Sequence, residues 1–334
     1  MKKIGDLLQG QVPPNQRQSP ESDEKAAIKQ YHIARAKAKA DDCSASSTAD
    51  LVARAMAVGA RAAALEKEKA SKTVVQLPLW PDAVRAVPNG FLRSALFGAI
   101  AKGRRRYLDG DLIAAVDGIE IRYTGQRLDQ GDLDVYEGIL HVGRQQALGS
   151  KCHVTSYTLL KLMGKTDTGG NRAVLHKRIT RLRAGAVEVR QDRYCYIGGL
   201  IDEAYKDEIT QEWVIVLNPK LAALFAPDQF TMVDWSARLA LKGHQLAQWL
   251  HGFYASHAKP YSMKVETLHR LCGSENKELK GFRRDLREAL NALAAVAGWT
   301  WHIDDSDLIH IEKTPTPSQA RHLIRQRGRP KKPR

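Results

Sequence analysis

The first seventy residues lack the apolar periodicity that a packed element needs. "ESDEKAAIKQYHIARAKAKADD" and "TADLVARAMAVGARAAALEKEKASK" have high helix propensity, yet their apolar positions are mostly Ala. Such faces bury too little area to offset the entropy of ordering. Residues 1–72 are therefore expected to be a flexible N-terminal arm. The pattern changes at "SKTVVQLPLWPDAVR", where Gln76, Leu77, Leu79 and Trp80 form a short apolar run around Pro78. A Pro-Asn-Gly turn then precedes the helix-like "FLRSALFGAI". "IEIRYTGQRL" alternates as a strand, and "DLDVYEGILHVGRQQAL" returns to helical spacing.

The next fifty residues hold the clearest pattern. "KCHVTSYTLLKLMGKTDTGGNRAVLHKRITRLRAGAVEVRQDRYCYIGGLI" parses as a strand, a helix, a turn, a helix and a hairpin. Thr155 or Ser156 caps the first helix, and Leu175, Ile179 and Leu182 form the apolar stripe of the second. A helix-turn-helix followed by a β-hairpin is the layout of a winged helix. The layout recurs about a hundred residues on. "SARLALKGHQLAQWLHGFYASH" reads as one long helix, "YSMKVETLHRLCGS" as a strand and helix, "ENKELKGFRRDLREALNALAAVAG" as a long helix, and "WTWHIDDSDLIHIEK" as a hairpin. The expected fold is α+β: tandem winged helices over 84–232 and 233–313, with a linker peptide at 73–83 and a basic tail at 314–334.

Charge narrows the partners. The net charge is +15, and the 22 residues from Lys313 to Arg334 hold eight Lys/Arg and no acid, leaving +7 on the rest. Such an excess suits a polyanion, so it must be located element by element. On a wheel of about 100° per residue, Lys277, Lys280, Arg284 and Arg287 align opposite Phe282, Leu286, Leu290 and Leu293, with Arg283 flanking. Cations aligned along a helix suit phosphates and guanine edges in a major groove. In the first unit Asn171, Arg172, Lys177, Thr180 and Arg181 lie away from the apolar stripe, and Arg193 stands at the tip of the expected wing. Asn pairs bidentately with adenine and Arg with guanine, so these residues are the expected double-stranded DNA contacts.

Other chemistries find little support. Cys43, Cys152, Cys195 and Cys272 lie far apart and no His-x-His pair occurs, so no metal or cofactor is expected. "MGKTDTGGN" contains Gly-Lys-Thr, but Leu159 stands where a phosphate-binding loop requires its first Gly. No apolar run approaches the roughly 18–20 residues that span a bilayer. The chain reads as a cytoplasmic binder without catalytic activity.

Two short motifs remain. "RQRGRPKKPR" places Arg327 and Arg329 around Gly328 before Pro330, which resembles an AT-hook, an extended peptide that enters narrow A/T-rich minor grooves. Gln76, Leu77, Leu79 and Trp80 resemble the bacterial sliding-clamp-binding motif, Gln-Leu-x-Leu-Phe, with Trp in place of Phe. The alternative for this stretch is a strand packed against the first domain.

The run "QLPLWPDAVRAVPNGFLRSALF", the "IRYTG" strand and "PYSMKVETLHRLCGS" before a basic helix resemble the TrfA family of plasmid replication initiators over roughly residues 74–313. That resemblance implies binding to repeated origin sequences (iterons), opening of an A/T-rich region and plasmid copy control. It also implies recruitment of the host clamp, replicative helicase and initiator machinery, and a homodimer in equilibrium with monomer. The alternative is a winged-helix transcriptional repressor that binds an operator.

Overall fold

The structure is a computed structural model that describes residues 29–32, 52–61, 75–101, 103, 105–191, 194–207, 209–210 and 212–327. The chain divides into two units, Met1–Thr73 and Val74–Arg334. In the first, residues 29–32 (α1) and 52–61 (α2) are helical and exposed. The rest of the expected arm lies outside the described residues.

The second unit contains one arrangement twice. Its first copy consists of α4 (Gln130–Gly143), β6 (Lys151–Thr155), α5 (Ser156–Leu162), α6 (Gly169–Ala184), β9 (Glu203–Lys206) and β10 (Glu212–Val216). Its second consists of α8 (Gln245–Ala255), β12 (Met263–Lys264), α9 (Val265–Leu271), α10 (Leu279–Ala297), β13 (Thr300–Ile303) and β14 (Leu308–Glu312). In both, the first strand pairs antiparallel with the last, giving sheet orders β6-β10-β9 and β12-β14-β13. Thr155 and Thr168 cap α5 and α6 by accepting from Thr158 N and Asn171 N, which satisfies amides that the first helical turn leaves open.

The hairpin expected as the first wing is part of a larger sheet. Strands β7 (Ala186–Gln191) and β8 (Tyr194–Gly199) join β3 (Tyr107–Ile113) and β4 (Ile119–Gln126) in a four-stranded antiparallel sheet, order β3-β4-β7-β8. Alternation decides this pairing: Ile121 and Tyr123 on β4 face the core beside Val189 and Val187, while Arg122 and Glu188 stay on the outer face. The hairpin beside α6 is instead β9–β10, anchored by buried Trp213, whose indole N–H donates to Ser156 Oγ at 3.1 Å. Arg193, expected at the wing tip, lies outside the described residues.

Three further expectations are corrected. The helix expected over "FLRSALFGAI" is a single turn, α3 (Asn89–Leu92), followed by β2 (Phe97–Gly98). The segment is buried on several sides, and β2 pairs parallel with β5 (Leu128–Asp129). The long helix after Asp234 breaks into α7 (Trp235–Ala240) and α8, because Gly243 takes φ +95°, a conformation other residues rarely adopt. Part of the expected basic tail is helix α11 (Pro317–Arg327), docked by Gln319 Nε2 donating to Ala255 O at 2.6 Å. Arg327 is the last residue of this helix; its side chain, and Arg329, on which the AT-hook expectation rests, lie outside the described residues.

Each copy has its own hydrophobic core. The first gathers Phe91, Phe97, Tyr136, Leu175, Ile179 and Leu182; it also includes Leu77 and Trp80, beside β1 (Val84–Pro88) and its partner β11 (Phe230–Asp234). The second gathers Trp249, Phe253, Leu268, Phe282, Leu286 and Leu290. Burial pushes three histidines down to about 4, reinforced by Arg85 and Arg144 at His141, by Arg238 at His251 and by Arg93 at His257. Their folded values lie below the usual value near 6.5, so the unfolded chain takes up their protons first and stability falls as pH drops through that window. Glu137, pushed up to about 7 by burial against the opposing charge of Arg238, acts in the opposite sense. Among these four groups, three against one leave a net loss of stability as pH falls from 6 to 5. Urea denaturation at stepped pH checks this; a flat profile would show that these histidines protonate freely in the fold.

Candidate nucleic-acid interface

Helices α6 and α10 occupy the same place in the two copies and carry the candidate contacts. On α10 the apolar stripe Phe282, Leu286, Ala289, Leu290 and Leu293 is buried. Lys277, in the turn before the helix, and Lys280, Arg284 and Arg287 on it are exposed, with Arg284 74% exposed at its side chain. The basic face is flanked by acid: Arg284 bonds Asp285 at 3.0 Å, and Glu288 is exposed beside it. Arg283 is not free. Its guanidinium grips Asp307 with two bonds, 3.0 and 2.8 Å, tying α10 to the β13–β14 turn. That turn is closed by Asp304, which accepts from Ser306 N and Leu308 N and bonds His310 Nε2 at 2.8 Å.

On α6, Lys177 and Thr180 are exposed, and Arg183 joins them in the last turn. Asn171 is drawn back to the preceding turn, donating to Thr166 O at 2.8 Å, and Arg172 bonds Asp167 through two 2.6 Å contacts. Arg181, expected to face DNA, turns inward and meets Asp132 at 2.6 and 2.8 Å. Arg178 lies with it, 2.8 Å from Asp132 and also bonded to Asp129. Arg105 reaches Asp129 from the other side. Burial works against the Asp129 carboxylate, yet the hydrogen bond and charge of Arg178, with Arg105, hold it well below the usual range. Burial and the adjacent Asp129 charge push Asp132 up. The apolar stripe assigned α6 its inner side, but it could not show that charged residues share that side. The signal was Asp129-Gln-Gly-Asp132 opening α4, where each carboxylate accepts from the other residue's backbone N–H in a capping box.

The two copies are fastened through the segments that flank them. Arg127 donates to Gly273 O at 2.8 Å and bonds Glu275 at 2.9 Å, holding the turn between α9 and α10. Ala99 N donates to Cys272 O, and the Trp249 indole donates to Ser94 O at 3.0 Å. Buried Arg238 on α7 bonds Asp134 and Glu137 on α4. With this many cross-links, α6 and α10 hold a set relative orientation.

The segment expected to dock a clamp is packed into the first copy. Trp80 is 4% exposed, and its indole N–H donates to His141 Nδ1 at 3.0 Å. Leu77 is buried as well, and Gln76 Nε2 donates to Arg144 O at 3.1 Å. Of the three apolar motif residues Leu79 projects into solvent, at 70% exposure, and Gln76 is exposed as well. In this state the segment packs against the first domain, though as irregular chain rather than a strand, because an indole and a leucine gain more from the core than from water.

No helix among the described residues is long and apolar enough to cross a membrane. No cluster of three or more His, Cys, Asp or Glu among them could hold a metal ion. The TrfA protein family model matches residues 46–313. The plasmid replication initiator protein TrfA of Escherichia coli is 27% identical over 280 residues, spanning 78% of this chain and 72% of that protein. Two solved structures are similar at low identity. Domains 2 and 3 of RctB give a TM-score of 0.49 at 14% identity, covering 68% of this chain and 99% of that one. The Pi initiator protein in complex with iteron DNA gives 0.42 at 10% identity, covering 55% and 91%. With most of its length matched by the family model, this chain belongs to the TrfA family.

Proposed function

We propose that this chain initiates plasmid replication by binding repeated origin sequences through two winged helices, the arrangement that occurs twice between α4 and β14. The observation that carries this reading is the repetition itself: two helices in equivalent places, α6 and α10, each bury one apolar stripe and expose cations on the opposite side. Cross-linking between the copies lets α6 and α10 enter adjacent major-groove segments of one repeat without a large ordering cost. The β9–β10 and β13–β14 hairpins lie where wings touch the backbone. Binding two segments rigidly bends the duplex, and the strain favours opening of A/T-rich DNA nearby.

The reading extends to host proteins. Clamp recruitment through Gln76, Leu77, Leu79 and Trp80 requires the segment to leave the first core, so a clamp competes with the fold for Leu77 and Trp80. Exposing those two side chains costs on the order of 1.5–3 kcal/mol each. The replicative helicase and host initiator machinery are further partners, and a dimer that opens to monomers controls copy number. The cations of residues 313–334 add sequence-independent binding by counterion release. No catalytic step, metal or cofactor enters this proposal, which places the protein in the bacterial cytoplasm.

Footprinting on the DNA that flanks its own gene tests the function. Regular direct repeats beside an A/T-rich stretch support initiation, while a lone palindrome supports an operator-binding repressor. Lys280→Ala and Arg284→Ala are each expected to weaken binding to such repeats by about 1–3 kcal/mol. Titration by fluorescence anisotropy measures the loss, and unchanged affinity in both variants would remove α10 from the interface.

A further inference from the structure

The exposed cations of α6, Arg172, Lys177 and Arg183, are three of its five Lys and Arg. Taking Arg178 as zero on the helical wheel, Arg181 lies about 60°, Lys177 about 100° and Thr180 about 160° round to one side, while Arg172 lies about 120° to the other. An unrestrained α6 would thus present a broad basic arc, and attraction to phosphate alone does not choose which part of it faces DNA. Its apolar anchor, Leu175, Ile179 and Leu182, is one narrow stripe. Such a stripe tolerates some roll about the helix axis, because apolar contact is non-directional.

Charge-assisted hydrogen bonds are directional. Asp129 and Asp132 are fully buried, fixed by their own capping box at the start of α4, and receive Arg178 and Arg181 together. Between them stands Gly131. A Cβ there would lie 2.4 Å from Arg178 Nη2, so the missing side chain is the space that the guanidinium occupies. We infer that Asp129 and Asp132 are positioning residues for DNA recognition: they withhold Arg178 and Arg181 from phosphate and fix the roll of α6, so that Lys177 and Thr180 face the groove. This inference rests on the proposed function, and it assigns sequence discrimination to residues that do not touch DNA.

The test compares full-length protein on a duplex carrying its own origin repeats with a scrambled duplex, over a range of salt. Asp132→Asn keeps the shape and removes one charge. It is expected to lower the ratio of specific to non-specific affinity about tenfold. Affinity for the scrambled duplex should rise, with a salt slope steeper by about one as a released arginine reaches phosphate. Asp132→Glu should restore part of the ratio. Gly131→Ala supplies a second variant, because it displaces the flexible end of Arg178 without changing any charge; its ratio should fall in the same direction. If either variant binds both duplexes more tightly by equal factors, the arginines contact DNA directly and the inference is overturned. An unchanged ratio in Gly131→Ala overturns it as well, whether or not Asp132→Asn folds. A wild-type chain without preference for the repeats sinks the proposed function together with this inference, whereas a preference that survives both variants sinks the inference alone.

Discussion

Replacing Trp80 by Ala is expected to destabilise the folded unit by about 3–5 kcal/mol, the usual range for removing a buried indole. The ring is enclosed by the first core, and its N–H satisfies His141 Nδ1. Arg144 adds a hydrogen bond to Trp80 O at 3.0 Å, stacks near the ring and bonds Asp82 at 2.7 Å. The variant therefore leaves a cavity, an unpaired buried nitrogen and a loosened arginine. Leu79→Ala at the neighbouring exposed position should stay within about 0.5 kcal/mol. Equilibrium denaturation of both variants separates a core segment from a free docking peptide. Were Trp80→Ala as stable as the parent chain and deficient only in clamp binding, the segment would be a docking peptide that stands outside the fold.

The second large effect concerns Arg238. Its guanidinium is fully buried, 2.8 Å from Asp134 and 2.9 Å from Glu137, and donates to Gln130 O at 3.1 Å. Arg238→Met removes the cation that bonds both carboxylates, leaving only the more distant charge of Arg85 near Glu137, a situation that costs about 3–5 kcal/mol. The cost should depend on pH. Glu137 is already pushed up to about 7, and losing Arg238 removes the charge that favours its ionised form, so protonation relieves the strain. The penalty should shrink as pH falls from 8 towards 6, and adding Glu137→Gln should recover part of it at pH 8. Thermal unfolding at the two pH values measures both effects; a penalty independent of pH would mean that Glu137 does not respond to the missing charge.

These two residues illustrate what sequence patterns can and cannot convey. Trp80 was legible as a large apolar group in a Pro-containing run, but such a run packs equally well into its own core or into a partner's groove. The partner is chosen by distance in space: His141 and Arg144 lie more than sixty residues away in the chain. Arg238 was legible only as one cation in a helical stretch. Its carboxylate partners are roughly a hundred residues earlier, and a period of 3.6 carries no information about them. The same limit hid the inward side of α6. A wheel separates apolar from polar residues, yet it cannot separate an arginine that meets water from one that meets a buried aspartate.

Hairpin assignment failed for a related reason. "AVEVRQDRYCYI" follows α6 directly and alternates well, so local reasoning makes it the wing. It is β9–β10 that joins β6 in one sheet, while β7–β8 extends β3 and β4 in another. Strand order is set by long-range pairing, and alternation only supplies candidates for it.

By itself, the sequence determined the alternation of helix-turn-helix and hairpin, the two apolar stripes on α6 and α10, and the basic face of α10. All of these follow from local periodicity, capping residues and turn chemistry, which act within a few residues. Only the tertiary structure decided which hairpin pairs with β6, which arginines are held by Asp129, Asp132 and Asp307, and that Leu77 and Trp80 belong to the core. Those outcomes depend on side chains far apart in the chain meeting in a low-dielectric interior, where a hydrogen-bonded partner outweighs solvent and one-dimensional pattern has no reach.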